Sequence, residues 1–202
     1  ELLRSHCVQK LGVNHIIDDV ISVKQNEMGI CGLNTRGHGE IQADLYVDCS
    51  GFSALLIDKA LNIELTDASH ILFADRALVF QLPYKDPNAP IACYTQSTAQ
   101  KAGWVWDIAL QHRRGTGYVY SSRHQNDEAA RDTYANYLKL HTSDSIDTSS
   151  FKEIRFKTGY RKKFWEKNCV AIGLSSGFLE PLEASSLMLI EQSATLLAEQ
   201  LP

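Results

Sequence analysis

The segment GLSSGFLEPLEASSLMLIEQ, residues 173–192, combines a glycine-rich turn, two glutamates three positions apart and two serines at the start of an apolar helical pattern. Pro181 suits the first turn of a helix, because proline has no N–H to leave unpaired there. The N–H groups of residues 183–186 would then lack acceptors within the helix, and the helix dipole would add positive charge. These features suit an anion: a carboxylate of the chain, a halide or the anionic edge of a reduced flavin. Local physics by itself favours the alternative, an ordinary turn-to-helix junction with Glu183 as a surface acid stabilised by the helix dipole.

A second candidate site is the end of the apolar strand in ADLYVDCSGF, residues 43–52. Sheets of α/β proteins bind ligands at the carboxyl ends of their strands, and Gly51 would let a phosphate or a ring approach the backbone closely. Asp48 is the acid at this strand end. The alternative is a plain strand-to-turn junction, in which Asp48 accepts hydrogen bonds from the turn that follows it.

The segment GWVWDIAL supplies two tryptophans on one face of a predicted strand, because side chains alternate along a strand. Trp104 and Trp106 share that face with Ile108. Val105 and Asp107 point to the other face. Such a pair is typical of a core, and it would also form an aromatic wall for a flat substrate.

The composition, with 44% hydrophobic and 22% charged residues, is typical of a globular protein. A net charge of −4 argues against nucleic acid or an anionic membrane as a partner, and the basic run RKKFWEKN (161–168) is interpreted as a solvated face. No apolar run approaches the roughly 18 residues that span a membrane. Five scattered cysteines without CxxC and seven histidines without HExxH predict neither a disulfide framework nor a metal site. We therefore expect buried free thiols and a cytoplasmic protein.

Hydrophobic spacing and turn signals predict strand-rich segments between helices. A first helix over residues 1–11 ends at Gly12 as its cap. A small β-meander follows over residues 19–24, 29–35 and 40–50, and then an antiparallel sheet over residues 71–122. A basic strand pair is predicted over residues 151–168 and a last apolar strand over residues 169–173. Two further helices are predicted over residues 126–141 and after Pro181.

Taken in order along the chain, these segments resemble the flavin-dependent halogenases of the tryptophan halogenase family. The matching segments are KLGVNHIIDDV, ADLYVDCSGF, FADRALVFQLP, GWVWDIAL with RRGTGYVYSS, and NCVAIGLSSGFLEPLEASSL. The last two are specific to the family, whereas the ADLYVDCSG strand is shared with FAD-dependent monooxygenases of similar fold. The resemblance covers essentially all 202 residues but only the middle of a family member. The family's GxGxxG segment and catalytic lysine have no counterpart in this stretch, so we expect it to be inactive alone.

The resemblance implies a mixed α/β fold, in which a FAD-binding domain of glutathione-reductase type is interleaved with an antiparallel substrate sheet. Carried onto this sequence, residues 1–68 form part of the FAD-binding domain and residues 69–125 form the substrate sheet. Residues 126–202 then supply a connecting helix, a strand pair and the return to the FAD-binding domain with the halide-site helix.

The resemblance also assigns roles to individual residues. Glu183 matches the family glutamate that faces the substrate and assists its chemistry. The N–H groups of Ser185 and Ser186 would hold the halide, while Trp104 and Trp106 would line the passage between flavin and substrate. The residues expected to contact FAD are Val20, Asp48, Gly51, Gly173, Leu174, Ser176, Gly177, Phe178, Pro181, Leu182 and Leu187.

The implied activity uses reduced FAD, O2 and chloride or bromide to halogenate an electron-rich aromatic such as tryptophan or another indole. A separate flavin reductase would supply the reduced FAD, and a homodimer stays open. Two alternatives remain: a flavin-dependent aromatic monooxygenase, and an inactive truncated scaffold or binding protein. Ala109 stands where the WxWxIP signature has proline, and residues 184–186 read ASS where tryptophan-specific members tend to carry STG. The second departure leaves the substrate open.

Overall fold

The computed structural model describes residues 1–86, 88–142, 145–179, 182 and 185–201. The helices are α1 (Leu2–Lys10), α2 (Asp127–Lys139) and α3 (Ser185–Gln200). The strands are β1 (Val20–Asn26), β2 (Gly29–Thr35), β3 (Gly39–Ile41), β4 (Tyr46–Asp48), β5 (Thr66–Asp67), β6 (Arg76–Leu82), β7 (Thr95–Gln100), β8 (Gly103–Ala109), β9 (Arg114–Tyr120), β10 (Lys152–Arg155), β11 (Gly159–Tyr160), β12 (Trp165–Glu166), β13 (Cys169–Ala171) and β14 (Gly177–Phe178). A π-helical turn, Leu55–Ala60, follows β4.

The largest unit is a five-stranded antiparallel sheet in the order β10-β6-β9-β8-β7, which confirms the predicted antiparallel sheet. Helix α2 packs on one face of it and begins where Asn126 accepts the N–H of Ala129 at 2.8 Å. Such a cap satisfies a donor that the first helical turn leaves free. The core between them consists of fully buried side chains, among them Tyr118, Tyr120, Tyr134 and Leu138.

The tryptophans lie on the opposite face of this sheet from the buried tyrosines. Trp104 pairs with Val119, and Trp106 pairs with Gly117, whereas Tyr118 pairs with Val105. Because side chains opposite each other point to the same face, the predicted alternation along β8 is confirmed. The two indole rings contact each other edge to face at 6.2 Å between centroids. The sheet therefore has one tyrosine face, covered by α2, and one tryptophan face.

A smaller sheet brings two distant segments together. Strands β4 and β13 pair in parallel, with Asp48 opposite Ala171, and β12 pairs antiparallel with β13. The carboxyl ends of parallel strands meet at the same edge of a sheet. The turn after β4 and the turn after β13 are therefore neighbours, although more than a hundred residues separate them in sequence.

Two of the predicted strand assignments are wrong. Residues 40–50 were expected as one strand, but β3 completes the meander β1-β2-β3 while β4 belongs to the sheet with β13. Strand β4 is joined to the β13 segment from its first residue, where the N–H of Tyr46 donates to the carbonyl of Asn168 at 2.9 Å. Residues 151–168 were expected as a strand pair, but they form β10, β11 and β12 in three different sheets. Local periodicity does not distinguish among strand partners from remote segments.

The surroundings of the thiols differ from expectation, and two of the helices are exposed. All five cysteines are free, but only Cys169 is buried, whereas Cys49 and Cys93 are exposed. Helix α1 ends as predicted, with Gly12 just beyond it in a left-handed conformation, φ +68°. Helices α1 and α3 bury none of their described residues. None of the helices in the described part of the chain is long and apolar enough to cross a membrane.

Candidate functional site

Asp48 at the end of β4 organises the turn that follows it. One carboxylate oxygen accepts the Ser50 N–H at 3.0 Å and the Ser50 hydroxyl at 2.6 Å. The other accepts the N–H groups of Leu56 and Ile57, each at 2.8 Å. Burial by itself raises the pKa of Asp48, but the hydrogen bonds from Ser50, Ile57 and Leu56 outweigh it and hold the pKa below its ordinary value. Both oxygens are engaged within the chain, which matches the alternative that Asp48 shapes the turn.

The turn that Asp48 holds, residues 49–51, exposes its backbone at Gly51. Gly51 has φ +69°, a conformation that favours glycine, and an added Cβ would meet no atom within 4 Å. This turn, named the Gly51 turn below, is therefore open on the side where a side chain would project.

Residues 173–178, named the glycine turn, follow β13 at the same edge. Gly173 is left-handed at φ +76°. The hydroxyl of Ser175 is fully buried and donates to the carbonyl of Ile172 at 2.9 Å and to the carbonyl of Asp48. The Ser175 side chain thus joins the glycine turn directly to the strand end that holds the Gly51 turn.

A small cavity of about 110 Å³ lies between the glycine turn and the start of α3. Its walls are formed by Gly159, Tyr160, Gly173, Leu174, Ser176, Gly177, Leu179, Ser186, Leu189 and Ile190. Helix α3 begins at Ser185, so the N–H groups of Ser185 and Ser186 belong to the first turn, where N–H groups have no acceptor within the helix. The cavity therefore unites four of the residues predicted to contact FAD with one of the two predicted halide residues.

Several predicted residues lie outside this cluster. Leu182 and Leu187 are 51% and 70% exposed and do not line the cavity. Val20 lines a separate groove beside the π-helical turn. Pro181 and Glu183 lie outside the described residues.

Aromatic rings connect the glycine turn to the tryptophan face. The Phe178 ring contacts Phe52 after the Gly51 turn at 5.5 Å and Phe156 at 5.1 Å, both edge to face. Phe156 belongs to the small core on the tryptophan face, against which Trp104 and Trp106 pack. A larger cleft of about 870 Å³ is lined by Phe52, Phe156 and Phe178 together with many charged side chains.

A buried ion pair supports the tryptophan strand from the opposite face. Asp107 follows Trp106, is 4% exposed and accepts hydrogen bonds from Arg114 on β9 and from the Tyr137 hydroxyl at 3.1 Å. Burial lowers the pKa of Arg114, but its hydrogen bond and its attraction to Asp107 raise it overall. The pair fixes the register of β8 against β9, and hence the position of the tryptophans.

Sequence reasoning missed Arg161, which was assigned to a solvated basic face. The residue is only 6% exposed, and its guanidinium donates to three acceptors, one in the glycine turn and two in or near the π-helical turn. The only local signal was its place between β11 and the lysines that follow, which does not predict burial. Among the described residues, no group of three or more His, Cys, Asp or Glu side chains is arranged to hold a metal ion.

Comparison with known proteins gives long matches at high identity. The tryptophan 6-halogenase SttH from Streptomyces toxytricini is 38% identical over 192 residues, which cover 95% of this chain and 36% of SttH. The crystal structure of a tryptophan halogenase from Shewanella frigidimarina NCIMB 400 superposes with a TM-score of 0.91 at 48% identity, covering 100% of this chain and 38% of that one. For BrvH, a flavin-dependent halogenase from Brevundimonas sp. BAL3, the TM-score is 0.89 at 37% identity, covering 100% and 40%.

The chain thus spans 36% to 40% of the length of these relatives. The similarity to solved structures also bears out the mixed α/β fold with antiparallel sheets. The family model described as tryptophan halogenase matches residues 1–202. On these matches, and on the two turns and the tryptophan strand described above, the chain belongs to the tryptophan halogenase family.

Proposed function

We propose that the full-length protein is a flavin-dependent halogenase that uses reduced FAD, O2 and chloride or bromide to halogenate an electron-rich aromatic such as tryptophan or another indole. The observation that carries this proposal is the cavity between the glycine turn and the start of α3, with Ser186 in its wall. SttH is a tryptophan 6-halogenase and BrvH is a flavin-dependent halogenase, and both match this chain over nearly its whole length.

The Gly51 turn and the glycine turn are the proposed flavin contacts. Gly51 and Gly173 are left-handed, and Gly51 leaves open space where a side chain would project, so the main chain is accessible to a ring or a phosphate. When bound, reduced FAD supplies the electrons that activate O2 for halide oxidation. The chain's own part is to hold the ring between the two turns, with Phe178 beside it.

The start of α3 is the proposed halide site. The N–H groups of Ser185 and Ser186 are donors in the first helical turn, and the positive end of the helix dipole adds to their attraction for an anion. Trp104 and Trp106 line the proposed passage to the substrate, because their face connects to the glycine turn through Phe156 and Phe178. An apolar passage of this kind keeps water from the halogenating species.

The proposal extends to the setting of the reaction. We propose a cytoplasmic protein, since the exposed thiols of Cys49 and Cys93 are free. A separate flavin reductase supplies the reduced FAD, and a homodimer is the assembly proposed for the full-length protein. The division of the chain into domains at residues 1–68, 69–125 and 126–202 stays a prediction. Strand β10, from residues 126–202, pairs with β6 in the sheet formed by residues 69–125.

The deciding experiment is product analysis of the full-length protein with FAD, a flavin reductase and an indole panel that includes tryptophan. A product whose mass shifts by the halogen added, and that changes when bromide replaces chloride, supports the halogenase. Hydroxylated product alone would instead identify a monooxygenase. Purified protein that retains no FAD and forms no halogenated product would identify a scaffold.

A further inference from the structure

Arg161 sits in the connection between β11 and β12 with its side chain 4% exposed. Its Nε donates to the carbonyl of Ser175 at 2.6 Å, and its Nη2 donates to the Asp58 carboxylate at 2.8 Å. Its Nη1 donates to the carbonyl of Ile63, and its backbone N–H donates to the carbonyl of Ser176 at 2.9 Å. One residue therefore binds two consecutive carbonyls of the glycine turn and two points near the π-helical turn.

These contacts form part of a closed hydrogen-bond network that joins the Gly51 turn, the π-helical turn and the glycine turn. Asp58 lies in the π-helical turn, whose first N–H groups are held by Asp48. Asp48 also shapes the Gly51 turn through Ser50, and its carbonyl accepts the Ser175 hydroxyl. Arg161 completes the network, because it donates both to the carbonyl of Ser175 and to the carboxylate of Asp58. The spacing between the Gly51 turn and the glycine turn is thus fixed by hydrogen bonds at both ends.

The arrangement of these three acceptors requires an arginine side chain. A planar guanidinium presents donors in several fixed directions, which suits two carbonyls and one carboxylate on different segments. A lysine ammonium is a single point charge and cannot serve these acceptors from one position. Burial of a charge costs free energy, and a buried ion pair is often no more stable than an apolar replacement. The gain is therefore in the defined geometry.

We propose that Arg161 is a positioning residue for flavin binding, which sets the distance between the Gly51 turn and the glycine turn. This inference rests on the proposed function, because it requires that both turns face one flavin. The Arg161 side chain acts through the carbonyl of Ser175, and its backbone N–H also holds the carbonyl of Ser176. Without the guanidinium donors of Arg161, the glycine turn can move relative to the Gly51 turn. This movement weakens flavin binding and changes the surroundings of the bound ring.

The test uses the full-length protein with the variants Arg161→Lys and Asp58→Ala. Arg161→Lys keeps the charge and removes the fork, while Asp58→Ala removes the carboxylate partner, which is 44% exposed. The matched control is Arg131→Lys on α2, because Arg131 also binds a carbonyl, that of Thr148 at 2.8 Å, and a carboxylate. The dissociation constant of FAD and the visible circular dichroism of bound flavin are measured at a temperature where every variant is folded.

We expect Arg161→Lys to weaken FAD binding at least about tenfold, the scale of losing a buried charge-assisted contact. The flavin dichroism should change as well. Asp58→Ala should weaken FAD binding in the same direction, and the double variant should lose less than the sum, because the two residues form one contact. Arg131→Lys should keep the wild-type dissociation constant and dichroism even where it lowers the melting temperature.

Folded Arg161→Lys with wild-type FAD affinity and dichroism would overturn the inference. The inference would also be overturned if FAD affinity fell only in proportion to the loss of stability, and fell in the same way in the Arg131→Lys control. If Arg161→Lys does not fold, Asp58→Ala decides, and unchanged affinity there overturns the inference. Wild-type protein that binds FAD but forms no halogenated product would refute the proposed halogenase while leaving the role of Arg161 supported. Wild-type protein that binds no FAD would refute both.

Discussion

Gly117 on β9 shows how a single residue positions the tryptophan face. It lies opposite Trp106, and a Cβ at Gly117 would overlap the six-membered ring of the indole. Gly115, two residues earlier on the same strand, has ordinary room: the nearest atom to an added Cβ is 3.7 Å away. The absence of a side chain at Gly117 is therefore what lets the indole occupy this position on the sheet.

We expect Gly117→Ala to displace Trp106 and to lower the free energy of unfolding by about 1–3 kcal/mol, the cost of overpacking. Halogenation by the full-length variant should fall if Trp106 lines the passage to the substrate. Tryptophan fluorescence, thermal unfolding and turnover measure the three effects. Gly115→Ala is the control and should resemble wild type in all of them. A Gly117→Ala enzyme with wild-type turnover would remove Trp106 from the proposed passage.

Glu183 is assigned by the family resemblance and lies outside the described residues. We expect Glu183→Gln in the full-length protein to preserve FAD binding and to reduce turnover at least about tenfold, the scale of losing one catalytic contact. Steady-state halogenation with FAD titration separates the two quantities. Turnover equal to that of wild type would exclude Glu183 from the mechanism.

At the scale of elements, the parallel pairing of β4 and β13 brings the two turns of the candidate site together, and hydrogen bonds to Asp48 hold the first of them. The carboxylate of Asp48 links the end of β4 to the first N–H groups of the π-helical turn. Its pKa is lower in the folded protein than its ordinary value. Its stabilising effect is therefore complete above the ordinary aspartate pKa of about 3.9, and it is lost as the pH falls through the lower folded-state value.

We expect Asp48→Asn to lower the free energy of unfolding at pH 7 by about 1–3 kcal/mol, because buried N–H donors then face an amide in place of a carboxylate. The difference from wild type should begin to shrink as the pH falls below about 4, where Asp48 becomes protonated in the unfolded chain, and should vanish once the folded protein is protonated there as well. Urea unfolding at a series of pH values measures it. Asp44→Asn, at an exposed position in the turn before β4, is the control. A difference that does not change with pH would contradict the assigned ionisation.

At the scale of the whole molecule, the apolar residues of α1 and α3 lack a covering layer in the described structure. Leu2 and Leu3 on α1 are 83% and 79% exposed, and Met188 and Leu196 on α3 are 54% and 59% exposed. Large exposed apolar patches promote association. The 202-residue chain therefore presents surfaces that a longer chain or a second copy would bury.

We expect the 202-residue chain by itself to self-associate with increasing concentration. The double change Met188→Gln and Leu196→Gln should reduce association, because it removes apolar surface from α3. Leu140→Gln is the control, since Leu140 is a single exposed residue after α2. Analytical ultracentrifugation measures the association. A monomeric chain at every concentration would contradict the expectation.

Sequence alone was sufficient wherever a property depends on near neighbours. The predicted strand over residues 29–35 coincides with β2, the alternation along β8 is observed, and α2 lies within the predicted helix. The strand end also singled out Gly51, which is left-handed in the structure. These signals are local, because helix and strand periods repeat within a few residues.

Tertiary structure decided which segments meet and which charges are buried. It divided residues 40–50 between two sheets and distributed the predicted basic strand pair, residues 151–168, among three. It also turned Arg161, one residue of a basic sequence, into a buried link to Asp58, 103 positions away. A charged side chain is buried only where remote groups supply its hydrogen bonds, and those groups converge only when the chain has folded. The sequence therefore determined the local elements, and the fold decided which remote groups hold the Gly51 turn and the glycine turn together.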